Sequence, residues 1–378
     1  MDLANDIEQI AIIGAGPAGV ACAWRLRQLG FFPLLLEKEN FPRDKICGDA
    51  LSGKVIALLK KLGGEGLVED LIRQPFVQPV EHLDFISGKG RRVRLSFPPR
   101  RGIPQGVVAP RKKFDAWLIG KMPDGIRLQT NFLVRRVEHT SKCWTIHSSS
   151  GETVRAYFLI GADGTTSRVA PQVWVYHRLA RPPVYPSVRG YIEGRMQSPS
   201  ALELHFKPPY LPGYLWHFPV AGDKQNVGIG LPPKALKQAH LSLREHLSEL
   251  FPQITQVRGH GIPVSTSNRP LTAPGCALIG DAGALADPFT GEGIGNALLS
   301  GIRLAEALAK VPPEDWWEAD LEMIYARPLY REIQHELRLT RFLHIVAKAE
   351  WRVEILLKLL NRFPIGVKSL LHWYGATP

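Results

Sequence analysis

A chain of 378 residues, 45% hydrophobic and 22% charged, is long enough for two or three domains around a large core, which excludes a small stapled scaffold and a disordered chain. A net charge of +12 suits an anionic cofactor, an anionic substrate, a membrane surface or plain solubility, but no nucleic-acid-binding motif accompanies it, and nucleic acid is disfavoured. Cys22, Cys47, Cys143 and Cys276 show neither CxxC nor Cys/His spacing, so neither a disulfide framework nor a metal site is expected, and a reducing compartment is. No run approaches the ~20 apolar residues of a spanning helix. The polar start Asp2 to Gln9 lacks the regions of a secretory signal, so a cytoplasmic protein is expected, free or on the cytoplasmic face of a membrane.

In chain order, the first strand, Ile10 to Ile13, runs into Gly14-Ala15-Gly16-Pro17-Ala18-Gly19. A helical stretch, Val20 to Leu29, follows, then the apolar run Pro33 to Leu36, closed by Glu37 and Lys38. This is one βαβ unit of the Rossmann type. Gly14 allows the turn, Gly16 lets backbone approach a pyrophosphate, Gly19 lets helix and strand pack, and Glu37 stands where an acid meets the ribose.

Phe41 to Leu51 is a turn-rich segment containing Arg43, Lys45, Cys47 and Gly48, either a cofactor loop or a surface loop, and it leads into a helix from Ser52 to Leu62. Val80 to Phe97 reads as a hairpin around Ser87-Gly88-Lys89-Gly90. Another helix begins at Arg111. Strands follow at 127–137, 143–148 and 153–160, the last ending in Asp163-Gly164, a ligand-binding strand end or merely an Asx turn.

From Pro182 to about Val264 the pattern becomes that of an inserted, mostly antiparallel sheet, with a helix from Ala235 to Leu250. Alternation puts Tyr214, Trp216 and Phe218 on one face of a strand, as core or as pocket wall. The chain then returns with a buried strand ending in Gly280-Asp281. Asp287-Pro288-Phe289-Thr290-Gly291-Glu292-Gly293-Ile294 opens an apolar helix. From Asp315 onward the chain is helical. Between Arg338 and Lys368, seven Arg/Lys face only Glu350 and Glu354, a basic amphipathic pattern that fits either a solvated helix face or peripheral membrane contact.

The expected architecture is therefore α/β: a Rossmann-type domain built from 1–80, 101–180 and 268–314, an inserted sheet domain from 81–100 and 181–267, and a C-terminal helical region, 315–378. With GxGxxG, Asp163-Gly164 and Gly280-Asp281 in this order, the chain resembles the FAD-dependent oxidoreductases of the para-hydroxybenzoate hydroxylase-like group. Pro42 to Gly48, Tyr214 to Pro219 and Asp287 to Ile294 narrow the resemblance to the geranylgeranyl reductase family.

That resemblance implies FAD. Gly14, Gly16, Pro17, Ala18 and Gly19 would meet its pyrophosphate, Glu37 and Lys38 its adenosine end, Arg43 and Arg111 the phosphates or ribityl chain, and Asp281 the ribityl. Pro288, Gly291, Gly293 and Ile294 would lie along the isoalloxazine, with Cys47-Gly48 near the ring and Cys47 the proton donor or a packed neighbour. Asp163-Gly164 would adjoin a transient NAD(P)H, since no second GxGxxG follows a strand. Tyr214, Trp216 and Phe218 would line an apolar chamber for a prenyl or lipid substrate whose double bonds are reduced. Phe289 departs from the family's usual Leu. The rival readings are a monooxygenase or halogenase acting through a C4a-peroxyflavin, for which Tyr214-x-Trp216-x-Phe218 only half satisfies the halogenase strand, and a membrane-attached flavoprotein that binds lipid or a partner.

Overall fold

The β-branched run ending at Ile13 lies near the centre of the first of three sheets in the computed structural model, which describes residues 7–234, 236 and 242–362. In chain order the elements are β1 (Ile7–Ile13), α1 (Pro17–Gln28), β2 (Leu34–Leu36), β3 (Ala50–Leu51), α2 (Gly53–Ile72), β4 (Gln78–Pro79), β5 (His82–Ser87), β6 (Arg92–Ser96), β7 (Val107–Val108), α3 (Arg111–Gly120), β8 (Arg127–Gln129), β9 (Val134–Thr140), β10 (Cys143–Ser148) and β11 (Thr153–Gly161). They continue with α4 (Ala170–Tyr176), β12 (Val184–Glu193), β13 (Ala201–Phe206), β14 (Tyr214–Val220), β15 (Lys224–Gly230), α5 (Leu243–Leu250), β16 (Thr255–Pro263), β17 (Thr272–Ala273), β18 (Cys276–Leu278), α6 (Ile294–Leu308), α7 (Arg327–Val346) and α8 (Glu350–Arg362).

The first sheet runs β17-β18-β11-β1-β2-β8, parallel from β18 to β8. β9 and β10 extend it antiparallel from the start of β11. Strand side chains alternate, so Ile10 and Ile12 bury into a core shared with α1, α2 and α6, while Ala11 and Ile13 bury into one shared with α4 and Trp144. Both faces of β1 are thus covered, which is why the run is apolar throughout.

The second sheet runs β16-β12-β15-β14-β13-β5-β6 and is antiparallel except for the β13–β5 pair. The upstream hairpin β5–β6 joins it beside strands more than a hundred residues later. One face packs Val188, Leu215, Val227 and Ile229 against Leu243 and Leu247 of α5. The other gathers Leu83, Phe85, Leu202, Leu204, Trp216 and Phe218 with Leu343, Ala347, Val353 and Leu357 from the C-terminal helices. A small third sheet, β3-β7-β4, fastens the end of the 41–51 segment, with Ala109 N donating to Asp49 O at 2.9 Å.

Two helices differ from their expected bounds. α2 continues past Leu62 to Ile72, broken only at Gly64, whose φ of +77° leaves the helical region. The helix expected from Ala235 is described from Leu243, where the Ser242 hydroxyl accepts from Glu245 N; Ala235 and 237–241 lie outside the described residues, as does the end of the basic C-terminal region, 363–378. Among the described residues no helix is long and apolar enough to cross a membrane.

Candidate active site

β1 delivers Gly14 at its carboxyl end, and α1 starts after Gly16 with no side-chain cap and no acid in its first turn. Its free N–H groups and positive dipole end are left open to an anion. Gly14 has φ +103°, and a Cβ there would lie 2.4 Å from Ala162 O, so only glycine fits the crossing from β1 to β11's exit. Gly14, Gly16, Pro17 and Ala18 line a cavity of about 650 Å³. Gly19 does not; its Cβ would meet Gly14 O at 2.0 Å, and it serves the helix–strand packing instead.

Glu37 ends β2 on the cavity wall with Lys38; its Oε2 accepts from Ala15 N at 2.9 Å and its Oε1 lies 3.5 Å from Arg43 Nε. Arg43 Nη1 donates to Asp115 Oδ2 at 3.0 Å, and Arg111 grips the same carboxylate through Nε and Nη2 at 2.6 and 2.8 Å. One turn of α3 therefore orients both guanidiniums toward the cavity.

Lys45, a basic residue of the candidate cofactor loop, adds a further cation on the cavity wall. Its Nζ lies 2.7 Å from His260 Nε2. Burial, then the charge of Lys45, pushes the His260 pKa down from 6.5 to about 4, so the ring is neutral and Nε2 accepts from the ammonium. The unfolded chain then binds the extra proton, and stability falls as pH drops from about 6.5 toward about 4. The His260→Asn variant is expected to show a shallower fall of Tm across that interval; an unchanged slope would remove His260 as its source.

β11 and β18 are parallel neighbours, with Gly161 opposite Leu278, so Asp163 and Asp281 emerge at one sheet edge and both line the cavity. Asp163 Oδ2 accepts from Arg168 N at 2.6 Å, while its buried Oδ1 has no partner among the described residues. Asx turn and cavity wall are thus combined in one side chain, and burial raises its pKa. α6 begins after Gly293, where Glu292 Oε1 accepts from Gly295 N at 2.7 Å, and a Gly293 Cβ would lie 3.4 Å from Asp281 Oδ1. Gly164, Gly291, Gly293 and Ile294 line the cavity; Pro288 does not, sitting in a turn where Asp287 Oδ1 accepts from Phe289 N and Thr290 N.

The far end is apolar: Leu83, Leu202, Leu204, Tyr214, Trp216 and Phe218. Cys47 and Gly48 stand at the junction, and a Gly48 Cβ would lie 3.0 Å from the Phe218 ring. Phe289, at the position that departs from the family's Leu, stacks on Phe206 at 5.4 Å behind Tyr214. Burial raises the Cys47 thiol pKa, so it stays protonated at neutral pH.

Asp49, Arg189, Tyr191 and Asn226 had no place in the sequence reading. Asp49 accepts from Tyr191 Oη at 2.6 Å, Asn226 Nδ2 at 2.8 Å and Arg111 N at 3.1 Å. Asn226 also donates to Cys47 O at 2.9 Å and accepts from Trp216 Nε1 at 2.9 Å, tying the Cys47 peptide to the aromatic wall. On the opposite face of the second sheet, Glu203, His205 and His217 hold donor atoms within 4.8 Å of one another, but Arg92 pairs with Glu203 at 3.1 Å and opposes a cation there.

A flavin dinucleotide fits these residues: the uncapped start of α1 for its phosphates, Glu37 and Asp281 for hydroxyls, and an unpaired Asp163 oxygen on the wall. A family profile described as "FAD binding domain" matches residues 8–186. A menaquinone reductase of Mycolicibacterium smegmatis is 29% identical across 95% of this chain and 91% of its own. Digeranylgeranylglycerophospholipid reductase 1 of Methanopyrus kandleri is 27% identical across 81% of each chain.

Among solved structures, a geranylgeranyl bacteriochlorophyll reductase-like protein of Thermoplasma acidophilum superposes with TM-score 0.67 and 22% identity over 96% of this chain and 98% of its own. A flavin-dependent brominase superposes with TM-score 0.74 and 19% identity over 98% and 93%, a likeness of fold alone. The matched profile, the reductases aligned along most of the chain and the converging glycine and aspartate segments show an FAD-dependent oxidoreductase that is similar to menaquinone and digeranylgeranylglycerophospholipid reductases.

Proposed function

We propose that the protein uses NAD(P)H to reduce carbon–carbon double bonds in a prenyl or similarly apolar chain. The observation that carries this reading is one cavity running from the glycine loop to an aromatic and aliphatic chamber, with Cys47 between. The relatives named for menaquinone and for digeranylgeranylglycerophospholipid support it, since both compounds carry polyprenyl chains.

FAD bound along the glycine loop would supply the hydride. An isolated alkene has no electron-withdrawing group, so placement of the proton matters most. The Cys47 thiol, kept protonated by burial and held through the Asn226 bond to its carbonyl, presents a proton where cofactor and substrate ends meet. Trp216 and Phe218 exclude water, and their ring faces favour developing positive charge on the alkene. Arg168 and Arg258 place cations at the wall for an anionic electron donor that visits without a Rossmann domain of its own.

Mass spectrometry of a prenyl lipid panel incubated with NADPH or NADH should show products two hydrogens heavier per reduced bond. The Cys47→Ala variant should slow alkene reduction about a hundredfold while leaving flavin reduction by NAD(P)H within a few-fold of the parent. Equal slowing of both half-reactions would take Cys47 out of the proton step.

A further inference from the structure

We infer that α8 docks the protein on an anionic lipid membrane. The helix has two chemically different faces. Val353 and Leu357, one turn apart, are buried against the second sheet. Both of its acids are turned to the β5–β6 hairpin: Glu354 accepts from Lys89 N and Arg91 Nε at 3.3 Å, and a Gly88 Cβ would lie 2.3 Å from Glu350 Oε1. The opposite face repeats at Trp351, Ile355 and Leu359, which are 62%, 50% and 49% exposed. Arg352, Lys358 and Arg362 are exposed beside them, and no exposed residue of α8 is acidic. On α7, Arg338, Phe342 and Ile345 make a second exposed row at helical spacing.

Apolar residues interleaved with cations are what an interfacial helix presents, the apolar groups entering the acyl boundary and the cations meeting headgroup phosphates. Arg352 lies 5.2 Å over the Trp351 ring, so its guanidinium is held at the level of the indole. The charge also argues against other occupants. Residues 363–378 contain no Asp or Glu, so their side chains bring no counter-charge. A second copy packed symmetrically on this face would set cation against cation. This inference is independent of the reaction proposed above, because lipid attachment does not require a lipid substrate.

The test is flotation of the full-length, FAD-loaded protein with vesicles of mixed phosphatidylglycerol and phosphatidylcholine, against phosphatidylcholine alone. The protein should float with the mixed vesicles only. The Arg352→Glu/Lys358→Glu variant should partition at least about twentyfold less, at roughly fivefold per cation near the surface. The Trp351→Ser/Ile355→Ser variant should also fail to float, and both should keep the flavin absorbance and Tm of the parent. A milder Arg352→Gln/Lys358→Gln variant gives the same reading should the reversed charges disturb folding. Flotation that is absent, equal on phosphatidylcholine alone or insensitive to these variants would overturn the inference. So would a parental dimer that Trp351→Glu converts to monomer.

Discussion

The Gly16→Val variant is expected to purify folded and colourless. Gly16 has φ −78°, open to any residue, and a Cβ there would find nothing nearer than Arg43 Nη2 at 3.8 Å. The apoprotein should therefore keep its Tm. A branched side chain would instead occupy the approach to the open N–H groups of α1, displacing a pyrophosphate and weakening FAD binding by at least about 3 kcal/mol, over a hundredfold. The ratio of visible to ultraviolet absorbance, with FAD titration of the apoprotein, reads the effect. Gly19→Val is the contrasting case: its Cβ would collide with Gly14 O at 2.0 Å, so it should lower Tm even without flavin. A Gly16→Val protein that keeps FAD would place the pyrophosphate elsewhere, and a large fall in its apoprotein Tm would make the position structural.

The largest loss of stability is expected at Asp49, which is fully buried with φ +65°. The short polar side chains of Asp and Asn tolerate this left-handed backbone better than others, and a bulky apolar one does not. Asp49→Leu would strain the backbone and leave Tyr191 Oη, Asn226 Nδ2 and Arg111 N without their acceptor. It would also remove a carboxylate near the fully buried Arg189, leaving Asp44 at 2.9 Å as its ion-pair partner. Leaving these three donors without an acceptor, at about 1–3 kcal/mol each, costs at least about 3 kcal/mol, measurable by urea denaturation of the apoprotein. Asp49→Asn keeps shape and backbone and should lose less, which separates charge from packing. A loss under about 1 kcal/mol in Asp49→Leu would contradict the role given to this cluster.

What sequence made legible was local. The glycine turn announces itself because only glycine meets the φ and contact demands of Gly14 and the close approach at Gly19. The period-two pattern of Tyr214, Trp216 and Phe218 is likewise visible in a short window. The Asp163 and Asp281 strand ends were readable as carboxylates after apolar runs, but their adjacency depends on β11 and β18 pairing across more than a hundred residues.

The unseen parts depend on contacts remote in sequence. His260 meets Lys45 across 215 positions, and Asn226 meets Cys47 across 179; neither residue carries a local pattern. The basic amphipathic pattern of α8 was legible, but which side chains turn outward was not. Charge counting averaged Glu350 and Glu354 into the basic segment, whereas folding directs both acids to the β5–β6 hairpin.

The central claim is that cofactor and apolar chain share one cavity and meet beside Cys47. Difference absorbance spectroscopy of the FAD-loaded protein during titration with a polyprenyl lipid tests it most directly. A saturable shift of the flavin's visible band, at the lipid concentrations that calorimetry gives for binding, is the predicted result. Lipid binding seen by calorimetry with the flavin band unmoved would contradict it.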